Sequence, residues 1–313
     1  MKISKITVFI IVFSVILFNS IVISEENSNI IYVDEDGTAD YISIQDAIDA
    51  ADDGSTIYVY GGIYNEIVNI NKTINLIGEN KDTTIINGSG DGVVLYISSI
   101  YVNISGFTIK NSGDFSSGIK IYFDYNSVTN NIIINNGFGI MVDDLSIDNG
   151  NNVFAGNIIK DNKYEGIYLI NSSNNLIINN TISNNKQGLV FADNSEYNLI
   201  CYNNFIHNSE NHVFSQYNYI NNTFYNEELK HGNYWDNYNG TDKNNDGIGD
   251  TPYNFSSNVQ DNFPLMNPYQ GRIIIDKFYV DEFSVQLMLL VGMIATIIFC
   301  IPIGLWWRKK YFK

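Results

Sequence analysis

Short bursts of alternating residues mark the middle of this chain. Gly118-Ile119-Lys120-Ile121, Gly139-Ile140-Met141-Val142, Gly166-Ile167-Tyr168-Leu169 and Gly188-Leu189-Val190-Phe191 share one form, a glycine followed by an in, out, in alternation. A period of two belongs to a strand with one face buried. Ile119, Ile140, Ile167 and Leu189 are therefore expected inside, and Lys120, Met141, Tyr168 and Val190 in an outward stripe, with the glycine making the turn.

A second pattern is Asn-x-Ile-x-Asn. It occurs at Asn131–Asn135, Asn157–Asp161, Asn180–Asn184, Asn204–Asn208 and Asn222–Asn226, with starts advancing by 26, 23, 24 and 18 residues. A period of roughly 20–25 residues, with one apolar anchor between turn formers, predicts stacked coils. Ile133, Ile159, Ile182 and Ile206 should then lie one over another. Each coil carries at least two strands, and the Leu-x-x-Leu-x-Leu of a leucine-rich repeat is missing, so the pattern predicts a parallel β-helix of about seven coils at about 4.8 Å each. Asparagine tolerates left-handed backbone, and its amide can bond the asparagine one coil away.

Upstream, Ile30 to Val33 reads as a strand, Ser43 to Ala51 as a short amphipathic helix capped by Ser43, and Thr56 to Tyr60 as a further strand. Strands follow near Ile74–Ile77, Thr84–Ile86, Val93–Ile97 and Phe107–Ile109. The open end of a solenoid needs covering, and the helix is the expected N-terminal cap.

Both ends carry membrane features. Lys2 and Lys5 precede the apolar run Ile6 to Phe18, so residues 1–24 read as a signal peptide or N-terminal anchor. Residues 285–307 form an apolar run long enough for a transmembrane helix, closed by Trp306 and Trp307 and followed by Arg308, Lys309 and Lys310. The expected order is a β-helix domain over 30–268, a juxtamembrane linker over 269–284, the span, and a cytoplasmic tail over 308–313. That arrangement is a single-pass protein of the cell membrane with its main domain extracellular or periplasmic.

Charge narrows the partners. There are 17 basic and 34 acidic side chains, a net of −17, which disfavours nucleic acid. Cys201 and Cys300 define neither a disulfide framework nor a cysteine metal site.

Two stretches resemble a known family. Tyr41-Ile42-Ser43-Ile44-Gln45-Asp46-Ala47-Ile48-Asp49-Ala50-Ala51, continued by Gly54, Thr56, Ile57, Val59, Gly62, Tyr64 and Glu66, looks like the opening of pectin lyase-like and NosD-like β-helix proteins. His231-Gly232-Asn233-Tyr234-Trp235-Asp236-Asn237-Tyr238, running on to Asp261-Asn262-Phe263-Pro264-Leu265, is similar to the end of NosD-type domains. The resemblance implies an exported right-handed parallel β-helix. NosD itself is an accessory factor for copper-site assembly in nitrous oxide reductase, so a copper-binding metallochaperone is one implied function.

Four constellations carry candidate chemistry. Asp242, Asn244, Asp246, the Ile248 position and Asp250 surround Gly247 with the spacing of a Ca²⁺ loop, although Tyr253 stands where an EF-hand has its bidentate Glu. His207, His212 and His231 are the imidazoles available to Cu. Asp143 and Asp144, with Asp124, Glu165 and Asp193, are candidate acids for a polysaccharide lyase or glycoside hydrolase. Adjacent strand residues face opposite ways, so Asp143 and Asp144 alone make no dyad. Tyr122, Tyr168, Tyr202 and Trp235 are aromatic platforms for sugar, with Tyr125, Tyr164, Tyr217, Tyr219 and Tyr234 beside the coils. Trp235 has the alternative role of capping the C-terminal end. The leading expectation is non-catalytic binding of polysaccharide, cell-envelope glycan or surface proteins, with a Ca²⁺-stabilised C-terminal end.

Overall fold

A computed structural model describes residues 29–144, 150–216, 221–256 and 259–271. The leader at 1–24, the apolar run at 285–307, and Tyr217 and Tyr219 lie outside them. Among the described residues no helix is long and apolar enough to cross a membrane. The described residues up to Tyr269 form one compact unit.

Three parallel sheets build the coils. The first has eight strands, from Ile30–Val33 through Thr56–Val59 to Leu199–Cys201. The second also has eight, from Gly62–Tyr64 to Tyr234–Trp235, and the third has seven, from Val68–Ile70 to Asn211–Ser215. Each sheet pairs strands one coil apart, giving a solenoid of about eight turns. The buried column Ile119, Ile140, Ile167 and Leu189 forms as expected, in register and fully enclosed. Ile133, Ile159 and Ile182 also stack, but the next member is Phe205, and Ile206 pairs with Ser183 on the outer side. The repeat begins at Asn203 rather than Asn204, because Phe205 continues the column toward Trp235.

Asparagine fills two different positions at the corners. The first residue of a corner has left-handed backbone: Asn130, Asn135, Asn179 and Asn184 have φ of 54 to 56°. The second is buried, and its amide spans coils. Three ladders result: Asn126–Asn152–Asn175–Asn198–Asn222, Asn131–Asn157–Asn180–Asn203–Asn233 and Asn136–Asn162–Asn185–Asn208. In each step a backbone N–H donates to the Oδ1 of the next rung. In the second ladder Nδ2 also donates to a strand carbonyl of the preceding coil, as Asn180 does to Phe154 at 2.7 Å. Asn222 thus belongs to the first ladder, which explains the irregular advance of 18. The doublets 130–131, 135–136, 179–180 and 184–185 serve both positions at once, one side chain outside and one inside.

The glycines at the second position of the strands of the third sheet have a different role from the one expected. Gly118, Gly139, Gly166 and Gly188 do not adopt positive φ. A Cβ on Gly118 would stand 2.6 Å from Nδ2 of Asn136, and one on Gly166 would stand 2.9 Å from Nδ2 of Asn185. They make room for the third ladder.

Both ends of the stack are closed. Helix α1, Ile44–Ala50, buries Ile44, Ala47 and Ile48 over the first coil. Ser43 accepts from the N–H of Asp46 at its start. Glu66 accepts from the N–H groups of Ile44 and Gln45, and Lys72 Nζ donates to the carbonyls of Ile48, Asp49 and Ala51. A carboxylate at the helix start and an ammonium at its end both match the helix dipole. At the other end Trp235 lies between the rings of Phe205 and Tyr253, with centroids 4.5 and 4.7 Å away. Its indole N–H donates to Asp261, which also accepts from Asn233 and Phe263 N–H groups. The second ladder therefore ends on an acceptor, where no further rung exists to receive an amide.

Replacing Asn180 by Leu keeps the branching but strands the Asn157 N–H in the core and takes one partner each from Asn157 Nδ2, the Phe154 carbonyl and Asn203 Oδ1. Each unsatisfied group costs about 1–3 kcal/mol, so chemical denaturation should show a loss of about 2–5 kcal/mol. A loss below 1 kcal/mol would contradict the ladder. Burial pushes the Asp261 carboxyl up from 3.8 to about 6, against the pull of the Asn233, Trp235 and Phe263 donors. The folded chain therefore holds more protons in that window. This group's contribution is fully present below pH 3.8 and is lost as pH rises through about 6. Thermal melts should show wild type losing ground to Asp261→Asn as pH rises across that range, and a pH-independent difference would refute the assignment.

Candidate functional site

The outer face of the third sheet gathers most of the candidate chemistry. Register places Tyr96, Lys120, Met141, Tyr168, Val190 and Phe214 in one row across the coils. The expected stripe forms as an outward row in which Lys120, Met141 and Tyr168 are half-buried, but Val190 is covered between its cross-strand neighbours Tyr168 and Phe214. Two residues on, Asp143 begins a second row with Ile170 and Ala192. Lys120 joins the rows: its Nζ lies 3.4 Å from Asp143 and 4.8 Å from the centre of the Tyr122 ring. Tyr122 in turn packs on Tyr96 at 5.1 Å.

Electrostatics follow the geometry. Burial would raise the Tyr122 phenol, but the hydrogen bonds from Lys120 and Tyr96 outweigh it and hold the group below its ordinary value. Tyr96, which gives that hydrogen bond, is pushed up to about 12. Burial would lower Lys120, whereas Tyr122 and Asp143 together raise it.

A run of rings borders the rows. Phe115 stacks on Tyr164 at 5.6 Å, Tyr164 meets Phe138 at 5.1 Å, and Phe138 reaches Tyr168 at 6.1 Å. Lys163 sits 5.3 Å from the rings of both Phe115 and Tyr164 and pairs with Asp114 at 2.8 Å. Burial, and then the charges of Glu165, Asp193 and Asp143, raise the Tyr168 phenol, while a hydrogen bond from Gln216 opposes them. Burial also raises the Glu165 carboxyl. The charges of three of the candidate acids are thus felt at one candidate aromatic. Rings with adjacent hydroxyls, amides and carboxylates suit the apolar faces and hydroxyl rims of sugars. Phe115, Phe138 and Lys163 did not stand out in the sequence, whereas Lys120 was expected in the outward stripe. Phe138 was detectable, because it precedes Gly139 at the strand position that Glu165 and Gln187 occupy in later coils.

Other candidates lie elsewhere. Asp144 is buried, on the opposite side from half-exposed Asp143, as alternation requires. Asp124 is buried and accepts from the Gly150 N–H. Tyr202 is only 6% exposed, at a left-handed corner, with its ring against His231 and Tyr269. Trp235 is 1% exposed and serves as the cap. Neither of these two rings is open to a sugar.

The histidines do not converge. His212 donates through Nε2 to Asp236 at 2.7 Å, and the ring of His207 pairs with the other oxygen of the same carboxylate. Burial holds His212 below its ordinary value, although Asp236 pulls the other way. Burial would raise Asp236, but the bonds from both histidines lower it. His231 Nδ1 turns instead to the Leu229 carbonyl. Burial pushes the Cys201 thiol up to about 12, so it offers no thiolate. Among the described residues no three His, Cys, Asp or Glu side chains group as a metal would require, and this donor set does not fit a copper site.

The acidic loop is wound by its own side chains. Asp242 accepts from Asp246 and Gly247 N–H groups, Asp246 from Ile248 N–H and Asn244 Nδ2, and Gly247 has φ +86°. Asp242, Asn244 and Asp246 therefore present hard oxygens together. Asp250 is held by Thr241 and the Lys243 N–H, and Tyr253 packs on Trp235.

Several solved structures are partly similar to this chain. Carrot pectin methylesterase is 14% identical, with a TM-score of 0.44 over 59% of this chain and 63% of that one. The catalytic domain of an alpha-1,3-glucanase in complex with tetrasaccharides is 16% identical, with a TM-score of 0.45 over 67% of this chain and 40% of that one. The A-module of a mannuronan C-5 epimerase from Azotobacter vinelandii is 14% identical, with a TM-score of 0.29 over 57% of this chain and 78% of that one. This chain spans less than two thirds of the carrot and glucanase chains. No curated protein matches it in sequence. Residues 19–240 match the family described as periplasmic copper-binding protein (NosD). The opening helix, the asparagine-cornered coils and the Trp235 block are thus those of a NosD-family parallel β-helix, and the chain belongs to that family.

Proposed function

We propose that this NosD-family chain is a non-catalytic binder of polysaccharide or cell-envelope glycan, acting through the outer face of the third sheet. The β-helix is exported, right-handed and held at the cell membrane by the apolar run at 285–307. The observation that carries the reading is the run Phe115–Tyr164–Phe138–Tyr168, together with the Tyr96–Tyr122 pair, in which Phe138, Tyr168 and Tyr96 sit on strands whose register is fixed by the core and Phe115, Tyr164 and Tyr122 flank those strands. Repetition favours a repeating ligand, because equivalent positions recur at each coil. The copper reading rests on the family description alone, since the described donors do not fit that metal.

A polysaccharide-cleaving reading has in its favour the electrostatic influence of Glu165, Asp193 and Asp143 at Tyr168. One experiment separates it from simple binding. The full chain is incubated with insoluble polysaccharides, and both retention and new reducing ends are measured. Retention without cleavage is expected, falling about tenfold or more in Tyr168→Ala, as for loss of a stacking ring worth about 1–3 kcal/mol with its hydrogen bond. No retention on any polymer would remove the reading, and reducing ends abolished by Glu165→Gln would replace it with cleavage by a lyase or a glycoside hydrolase.

The proposal extends to Ca²⁺ at the loop of Asp242, Asn244, Asp246, the Ile248 carbonyl and Asp250. The support is the close grouping of its hard oxygens at Gly247. Saturating Ca²⁺ at about 100 times its dissociation constant should stabilise the fold by about 2.7 kcal/mol, read as a rise in Tm that EDTA reverses and Asp242→Asn abolishes. An unchanged Tm in millimolar Ca²⁺ would dismiss the site.

A further inference from the structure

We propose that this face is built to take uncharged polysaccharide and to turn away polyuronates, because carboxylates occupy its lysines. The inference rests on the glycan-binding reading and names the class of glycan. Three lysines lie on or beside the face, and each already has a carboxylate partner: Lys120 with Asp143 at 3.4 Å, Lys163 with Asp114 at 2.8 Å, and Lys186 with Glu210 at 3.4 Å. Two of them also lie over aromatic rings. Glu165 adds a fourth carboxylate with no cation of its own, since the Lys186 near it is paired with Glu210.

These pairs are not needed for the fold. Apart from Lys120, their charged groups are more than a third exposed, and such pairs contribute little to stability, about 0–1 kcal/mol each. Their effect is on the field of the face. A chain of uronates would meet at least four carboxylates and three neutralised ammonium groups, on a protein whose formal net charge is −17. An uncharged sugar escapes that repulsion and still uses the rings and the paired polar groups as hydrogen-bond partners. The matched pairs therefore act as a charge filter laid over an aromatic platform.

The arrangement predicts a gain of function. In Asp114→Asn/Asp143→Asn/Glu210→Gln the lysines are unmasked, and the changed side chains are exposed, so the fold should keep its Tm. Full chain and variant are sedimented with insoluble glucan, mannan and chitin, and with beads carrying polygalacturonate or alginate, at about 10 mM and about 1 M salt, where the Debye lengths are about 30 and 3 Å. Wild type should be retained by at least one uncharged polymer at both salts and by neither polyuronate at low salt. The variant should gain about tenfold or more in polyuronate retention at low salt and lose it at high salt, since screening removes the attraction. Retention of wild type on polyuronate at low salt would overturn the filter while leaving glycan binding intact. A folded variant that gains nothing would also overturn it. Wild type retained on no polymer would overturn both.

Discussion

A buried amide must find partners, and that requirement governs this molecule. Each inward asparagine carries one acceptor and two donors out of water, and an unpaired one would cost more than the packing around it returns. Most of its partners are the asparagine and the strand carbonyls one coil away. From Asn126 onward the corners of successive coils are thereby tied together, in three places around the stack. A single rung does not close the requirement; it passes it on. The second ladder is released only where Asp261, a group with acceptors alone, meets the last N–H groups and the indole of Trp235.

Fixed corners give fixed strands, and fixed strands give the outer face its order. Tyr168 lies between Met141 and Val190 because Ile167 lies between Ile140 and Leu189 inside. A one-residue slip would turn every ring inward and every isoleucine outward. The rows of Tyr96, Lys120 and Tyr168 are thus a consequence of the dry column behind them. Rigid placement also lowers the conformational entropy that a ligand would otherwise have to remove from long side chains.

Much of this was legible in the chain. Ile119, Ile140, Ile167 and Leu189 announced their stacking by alternation alone, and Ser43 marked the start of the capping helix. The opposed directions of Asp143 and Asp144 also followed from strand geometry. Other features depended on register, which a local pattern does not settle. Asn204-Phe205-Ile206 fits the repeat as well as Asn203-Asn204-Phe205, and only the need for a large ring above Trp235 decides between them. The doublets hid a division of labour, because Asn serves equally well as a left-handed outer residue and as an inner rung. Tyr202 and Trp235 have the composition of sugar platforms but sit at a corner and an end. The Lys163–Asp114 pair joins residues 49 positions apart, so it appears only once the coils are stacked.

The most direct test of the account is native-state hydrogen exchange at the ladder amides. Asn131, Asn157, Asn180 and Asn203 donate their backbone N–H groups to a side chain rather than to a strand, at positions that in an ordinary turn would exchange quickly. If the amide ladders hold the coils, these four protons exchange as slowly as those of Ile133 and Ile159 and are released together with them on global unfolding. If they exchange at the rate of surface turns while the strand amides stay protected, the ladders do not bind the coils together and the account fails.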